Sequence, residues 1–272
     1  MINVIEPQNE LLKQFVDSIY VFKKSEGGFE FTAYPAVNTS VGLLRNASVN
    51  IENECVYIAN SETPNHIAMV CNQFTSSIHL QYLQLVDEIA INFKPLGFSS
   101  YTQSAPHQKK TSFFQEWNGV LPDLFDNVFA TEDPDRQCYH IEEFLLNQYR
   151  ALADESFLFK ALELLNDTTL DYKMLEIACL AGVHYKHLYR SFTEHVGCSP
   201  VHYRKLVKFR SSVVSKMKRG DKVRLVDISN DHDYFDQPYF IKQFRELTGE
   251  KPSLFFKEVT SFGNDKVIFK ID

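Results

Sequence analysis

The spacing of apolar residues along this chain changes once, near residue 110. Before that point they come in short runs: Ile19 to Phe22, Phe29 to Tyr34, Val37 to Leu44, Cys55 to Ile58, Ser77 to Tyr82 and Ile89 to Phe93. The runs are rich in β-branched and aromatic residues, partly alternate with polar ones, and are separated by Gly, Pro, Asn and Ser, which is the pattern of many short strands. Gly27-Gly28 is predicted as a hairpin turn between the first two runs, and a helix over Glu10 to Ser18 precedes them. Strands at such close spacing predict a barrel or a sandwich. Beyond Ser112 the period becomes helical, taking in Phe113, Phe114 and Trp117 and then Leu121, Leu124, Phe125, Val128 and Phe129. Cys138, Ile141, Leu145, Leu146 and Tyr149 mark the apolar side of a longer helix over Asp135 to Leu152. That helix either packs on its own sheet domain or forms a seam with a second copy. The polar bridge Ala151 to Glu155 divides the chain into residues 1–153 and 154–272.

From Ser156 the pattern predicts helix throughout. Phe157 to Leu165 is a first helix, closed by Asn166-Asp167. Leu175, Ile177, Ala178 and Ala181 suit one side of a short helix, and Val183, Leu188 and Phe192 suit one side of the next. Gly182 between them permits the positive φ of a sharp corner, so the stretch predicts a helix-turn-helix unit. Ser199 is a natural N-cap with Pro200 at the first helical position, opening a long helix over Val201 to Lys218 that stops at Gly220. A second copy follows. Leu225 and Ile228 begin a short helix, Asp231 to Tyr234 makes a corner, and Asp236 caps a helix through Phe240 and Phe244. Gly249-Glu250-Lys251-Pro252 repeats Gly197-Cys198-Ser199-Pro200, each with a Phe five residues before the Gly and an aromatic three after the Pro. The expected fold class is α+β: a β-rich, cupin-like barrel or sandwich with helices, then an all-α part with two helix-turn-helix units.

Charge sharpens this division. The net charge of −7 splits into −9 over residues 1–153, from 9 basic and 18 acidic residues, and +2 over 154–272, from 19 and 17. Between Thr168 and Lys222 there are 11 basic and 4 acidic residues, the footprint of a phosphate-binding surface around the first unit. No apolar run approaches the roughly 20 residues that span a bilayer, and the N-terminus has no signal-peptide pattern. Cys55, Cys71, Cys138, Cys179 and Cys198 are scattered and form no CxxC, which argues against a disulfide framework and a zinc site. The expectation is a soluble cytoplasmic protein.

Ile177-Ala178, Ala181-Gly182-Val183, Leu188-Tyr189-Arg190-Ser191-Phe192 and Gly197-Cys198-Ser199-Pro200 in the first unit resemble the AraC/XylS family of transcription regulators. So do Asp236-Gln237-Pro238-Tyr239-Phe240 and Gly249-Glu250-Lys251-Pro252 in the second, and the resemblance covers about Phe157 to Val259. It implies that two recognition helices enter successive major-groove segments on one face of double-stranded DNA, near one helical turn, roughly 34 Å, apart. By the matched positions Lys186, Tyr189 and Arg190 face bases from the first recognition helix, and Gln237, Pro238 and Lys242 from the second. Arg190 and Lys242 suit guanine O6 and N7, and Gln237 suits adenine. His184, Tyr185 and His187 are placed to touch bases or phosphates, and Arg204 and Lys205 on the linking helix to meet phosphate or solvent. The second unit departs from the pattern: Asp233 stands for the usual turn Gly, Ser229 and His232 replace small and apolar residues, and Asp231, Asp233 and Asp236 bring acids near the phosphates. The second unit is therefore expected to contribute less affinity.

Other candidate chemistry is weak. His184 and His187 have metal-pair spacing but no third ligand nearby in sequence, and His66, His79 and His107 are far apart. No nucleotide-binding or hydrolase motif is present, so no enzyme, cofactor or metal is expected. The aromatics Phe29, Phe31, Tyr34, Tyr57, Phe74, Tyr82, Phe93, Phe98 and Tyr101 either fill the core or line a small-molecule pocket, and Arg45 either pairs an anionic ligand or lies on the surface. The reading is a DNA-binding regulator whose N-terminal domain binds a small-molecule effector. The alternative is a ligand-independent regulator with an N-terminal protein-interaction module. RNA polymerase and a second copy, giving a homodimer, are the expected protein partners, and no membrane is.

Overall fold

The structure, a computed structural model, describes residues 2–22, 28–53, 55–72, 76–84, 86–103, 111–114, 121–153, 155–170, 172–232, 234–262 and 267–271. Gly27 of the expected hairpin turn, Phe74, His107, Trp117 and Asp233 lie outside these residues. In chain order the N-terminal part runs β1 (Ile2–Ile5), α1 (Glu10–Phe15), β2 (Val16–Phe22), β3 (Phe29–Ala33), β4 (Thr39–Arg45), β5 (Ala47–Glu52) and β6 (Cys55–Asn60). It continues with β7 (His66–Asn72), β8 (Ile78–Tyr82), β9 (Asp87–Phe93), α2 (Gly97–Thr102), β10 (Thr111–Phe114), α3 (Leu121–Val128) and α4 (Pro134–Gln148). The C-terminal part runs α5 (Glu155–Asn166), α6 (Met174–Leu180), α7 (Tyr185–Val196), α8 (Pro200–Arg219), α9 (Leu225–Asp231), α10 (Gln237–Thr248), α11 (Pro252–Glu258), β11 (Thr260–Phe262) and β12 (Val267–Ile271).

The strands form two six-stranded sheets, β1-β2-β9-β4-β7-β10 and β11-β12-β3-β8-β6-β5, which do not close into a barrel. The fold is α+β, with a β-rich N-terminal part and a helical C-terminal one. Register explains how the first sheet is used. Ile19, Ile91, Val41 and Val70 are successive cross-strand partners and share one face, whereas Tyr20, Ala90, Gly42 and Met69 share the other. The first face packs with Leu12 and Phe15 of α1, Leu124 and Phe125 of α3, and Ile141 and Leu145 of α4. The second face meets the other sheet in a separate, smaller core that holds Leu44, Met69 and Cys71 with Ile58, Leu80 and Tyr82. Each of the larger apolar side chains so buried contributes roughly 1.5–3 kcal/mol. A sheet covered on both faces has strands buried nearly throughout, as in β9, where every residue after Asp87 is buried.

Four sequence expectations change. Phe113 and Phe114, read as the start of a helical period, lie in β10, which pairs antiparallel with β7. Helix α1 ends at Phe15, because Val16 adopts extended backbone and opens β2, which pairs with β9. On α4, Cys138, Ile141 and Leu145 are buried but Leu146 is 38% exposed, so the apolar side is narrower than its pattern suggests. This helix packs on α1, α2, α3 and β1 of its own domain. The fourth change is at the C-terminus, where helix was expected. Val267-Ile268-Phe269-Lys270-Ile271 is a β-branched, partly alternating run, and it forms a strand. β12 pairs with β11 and then with β3 (Phe269 opposite Ala33, Ile271 opposite Phe31), so the end of the chain completes the N-terminal sandwich.

The two parts are tied at other points too. Tyr34 donates its hydroxyl hydrogen to Glu250 Oε1 at 3.0 Å, and its ring meets Phe255 edge-on at 4.6 Å. Helix α2 reaches α7, with the Ser99 hydroxyl donating to the His195 carbonyl at 3.0 Å. Gly97 at the start of α2 lies so close to the Phe15 carbonyl that a Cβ would collide with backbone, so this approach requires glycine. One continuous core joins both parts.

Candidate nucleic-acid interface

In the first helix-turn-helix unit, Gly182 takes φ +75° at the corner, and the Val183 N–H donates to the Ala178 carbonyl at 3.0 Å. Ile177, Ala178, Leu188 and Phe192 are buried between the helices. Leu175 is 69% exposed, contrary to its assignment to the same side. Residues two apart on a helix do not face the same way, and Ile177 already occupies the inward position.

This packing turns the opposite face of α7 outward. Lys186, Tyr189 and Arg190 are exposed and Tyr185 is half-buried. His184 is the N-cap, its Nδ1 accepting the Lys186 N–H at 3.2 Å, so one of its ring nitrogens is already occupied. His187 is half-buried with its ring 5.0 Å from Phe157 of α5, and Arg190 Nη2 lies 3.3 Å from His187 Nδ1.

Helix α8 joins the units. Ser199 caps it by accepting the His202 N–H at 3.2 Å, with Pro200 in the first turn. Tyr203 anchors it, donating to Asn166 Oδ1 at 2.9 Å and packing edge-on to Phe192 at 5.4 Å. Its 20 residues make a rod of about 30 Å, close to one turn of duplex. Several of its cations serve the protein itself. Arg204 donates to the Tyr172 carbonyl, and buried Lys216 donates to the carbonyls of Gly220 and Val223 at 2.8 and 2.9 Å, closing the helix end. Lys205 and Lys218 remain exposed.

The second unit repeats the geometry. Asp236 caps α10 by accepting the Tyr239 N–H at 2.7 Å, Gln237 is half-buried in the first turn, and Pro238 and Lys242 are exposed. Ser229 and His232 are both buried, so those departures from the family pattern point into the core. The acids are partly neutralised. Asp231 pairs with Arg219 at 2.5 Å, and Asp227 pairs with Arg224 at 3.1 Å, whose hydrogen bonding holds the Asp227 carboxyl below its usual range. Along α8 a groove of about 340 Å³ runs between the units, walled by Val201, Lys205, Lys208, Phe235 and Tyr239. Phe235 is 91% exposed. Nothing in the apolar pattern singles it out, since an aromatic between Tyr234 and the Asp236 cap reads as part of the corner.

In the sandwich, Tyr34, Phe93, Phe98 and Tyr101 belong to the packed core, whereas Phe31 and Tyr82 line a cavity between the sheets. Arg45 is committed to the protein: it pairs with Asp87 at 2.8 Å, donates to the Phe129 carbonyl at 2.9 Å and lies 4.8 Å from the centre of the Phe129 ring. Glu88, on the same strand as Asp87, is buried and lies outside the strand that the sequence predicts, which begins at Ile89.

Residues 177–258 match the helix-turn-helix domain family, a span that takes in both units. No curated protein matches the chain. Solved structures similar to it include ToxT from Vibrio cholerae in its P21 crystal form, at 13% identity over 88% of this chain and 96% of that one, with a TM-score of 0.46. ToxT from Vibrio cholerae O395 is similar at 14% identity over 88% and 95%, with a TM-score of 0.43. The same protein bound to (E)-4-(8-methylnaphthalen-1-yl)but-3-enoic acid is similar at 11% identity over 88% and 97%, with a TM-score of 0.44.

Proposed function

Through its helix-turn-helix domain at residues 177–258 the chain belongs to the AraC/XylS family of DNA-binding transcription regulators, and on that footing we propose that it reads a specific operator with both units under the control of an effector bound in residues 1–153. The observation that carries the reading is the exposed, basic and aromatic outer face of α7, held by a buried inner face and joined by a one-turn rod to a second such helix. Lys186, Tyr189 and Arg190 contact bases from α7, with His184 and Tyr185 at its N-terminal end, and Gln237, Pro238 and Lys242 contact bases from α10. Phe235 offers an apolar surface suited to a thymine methyl group. Residues 154–272 carry the DNA-binding work, RNA polymerase is a partner of the bound protein, and the setting is the cytoplasm. No described helix is long and apolar enough to cross a membrane.

The effector acts by binding one arrangement of the two parts more tightly than another, since only differential affinity shifts an equilibrium. Support comes from the contacts that link them: α2 to α7, Tyr34 to Glu250 and Phe255, and β12 to β3.

Arg190→Ala weakens operator binding more than Lys242→Ala does, because α7 sits in the basic part of the chain and α10 follows an acidic corner. Each loss corresponds to about 1–3 kcal/mol on operators with guanine at the contacted position. The check is a gel-shift titration at fixed salt on an operator selected from random DNA; equal losses refute the ranking. Dimerisation uses the outer face of α4, where Tyr139 and Leu146 are exposed. Sedimentation at micromolar concentration should show a dimer that Leu146→Glu dissociates, and a wild-type monomer throughout would exclude it.

A further inference from the structure

The cavity between the two sheets has a composition unlike the rest of the core. Its volume is about 80 Å³, roughly half that of a cavity that admits benzene, which leaves room for about three or four non-hydrogen atoms. The space exists because the facing positions are small: Ala33 on the second sheet, and Gly42 and Ala90 side by side on the first. Around it stand the rings of Tyr20, Phe22, Phe31 and Tyr82, and one acid, Glu88. Among the described residues no basic one lines it.

Glu88 is 4% exposed. Its Oε2 accepts the Tyr82 hydroxyl at 2.6 Å, and among the described residues this is its one hydrogen bond. Its Oε1 lies over Gly42, close enough that a Cβ there would come within 3.1 Å. One carboxylate oxygen therefore faces the cavity with its acceptor capacity unspent. A buried carboxylate with neither a cation nor a full set of hydrogen bonds is costly to keep, and an apolar residue of similar size would pack the site better. Phe22 and Phe31 are half-buried, so the cavity reaches solvent at its rim.

We propose that this cavity takes a small organic ammonium ion, an alkylammonium head group that donates to Glu88 Oε1 and rests among the four aromatic rings. Each part of the lining selects for that class. The carboxylate supplies the counter-charge and acceptor, and aromatic faces attract a cation through their quadrupoles. An anion meets the like charge of Glu88, and the Tyr82 and Ser40 hydroxyls at the cavity already donate to Glu88 and Asn92. Calcium or magnesium needs about six or more oxygen ligands, against the one carboxylate present, and no three His, Cys, Asp or Glu side chains among the described residues come together to hold a metal ion. The inference rests on the reading of residues 1–153 as an effector domain and supplies the chemical class of the effector.

The test uses the full chain at pH 8 and constant ionic strength. n-Propylammonium, n-propanol and propionate have the same length of chain and differ in head group. Thermal unfolding in increasing n-propylammonium chloride should show a saturable rise in Tm of a few degrees, with no saturable rise for sodium propionate and a smaller one for n-propanol. Glu88→Gln keeps an acceptor for Tyr82 and should abolish the ammonium response; Gly42→Ala keeps the carboxylate, occupies the space and should abolish it too. An equal rise with propionate, an unchanged response in Glu88→Gln, or no saturable rise in the wild type overturns the proposal. Operator affinity measured with and without n-propylammonium separates the two levels. A saturable Tm rise with no change in operator affinity upholds the pocket and refutes effector control.

Discussion

Phe244→Ala should lower the free energy of unfolding by about 3–5 kcal/mol, the cost of emptying a large buried aromatic site. Phe244 is 1% exposed on α10 and meets four other rings: Phe209 of α8 at 5.4 Å, Phe240 at 5.7 Å, Phe255 at 4.9 Å and Phe256 at 5.6 Å. Those rings come from three helices, so the second unit, its spacer and α11 are held by one side chain. Phe255 in turn meets Tyr34 of the N-terminal part, and loosening therefore spreads beyond the unit. Guanidinium unfolding followed by circular dichroism is the measurement. A loss below about 1 kcal/mol would mean the cluster collapses into the gap and Phe244 is not its keystone.

The second large effect depends on pH. Burial first, opposed by the Tyr82 hydrogen bond, raises the Glu88 carboxyl to about 7. Its folded state therefore holds a proton that the unfolded chain releases near the ordinary glutamate value, about 4.3. A group with a raised acid pKa gives its full contribution below the unfolded value and loses it as pH rises toward the folded one. Stability from this group accordingly falls between about pH 4.5 and 7, by on the order of 3 kcal/mol. Glu88→Gln removes the titration, so variant and wild type should be similar near pH 4.5, and the variant more stable above pH 7. Urea unfolding at pH 5 and pH 8 decides it. Parallel behaviour of the two proteins at both values would show that Glu88 ionises without cost.

Both residues bear on what the sequence discloses. Phe244 was legible, because the helical period and the repeated Gly-x-x-Pro fix which residues of α10 turn inward. Glu88 was not. In β9 the bulky residues Ile89, Ile91 and Phe93 alternate with Glu88, Ala90 and Asn92, and a strand face of small and polar residues ordinarily faces water. Here a second sheet covers that face, and only tertiary structure says so. The closing strand β12 was legible in principle from its β-branched residues, but the helical rhythm before it masked it. Lys216 and Arg204 show the opposite limit: a lysine or arginine on a basic helix looks the same in sequence whether it points at a phosphate or at the carbonyls that end its own helix.

The return of β12 to β3 also governs how the protein can be dissected. A fragment starting at residue 154 would keep both helix-turn-helix units yet carry a hairpin whose β12 edge has lost its neighbour. Exposed strand edges recruit other strands, so such a fragment invites aggregation that has nothing to do with its DNA affinity. Truncation at Val259, just after α11, removes that edge while leaving Phe255 in its cluster, and it gives the cleaner minimal binding unit.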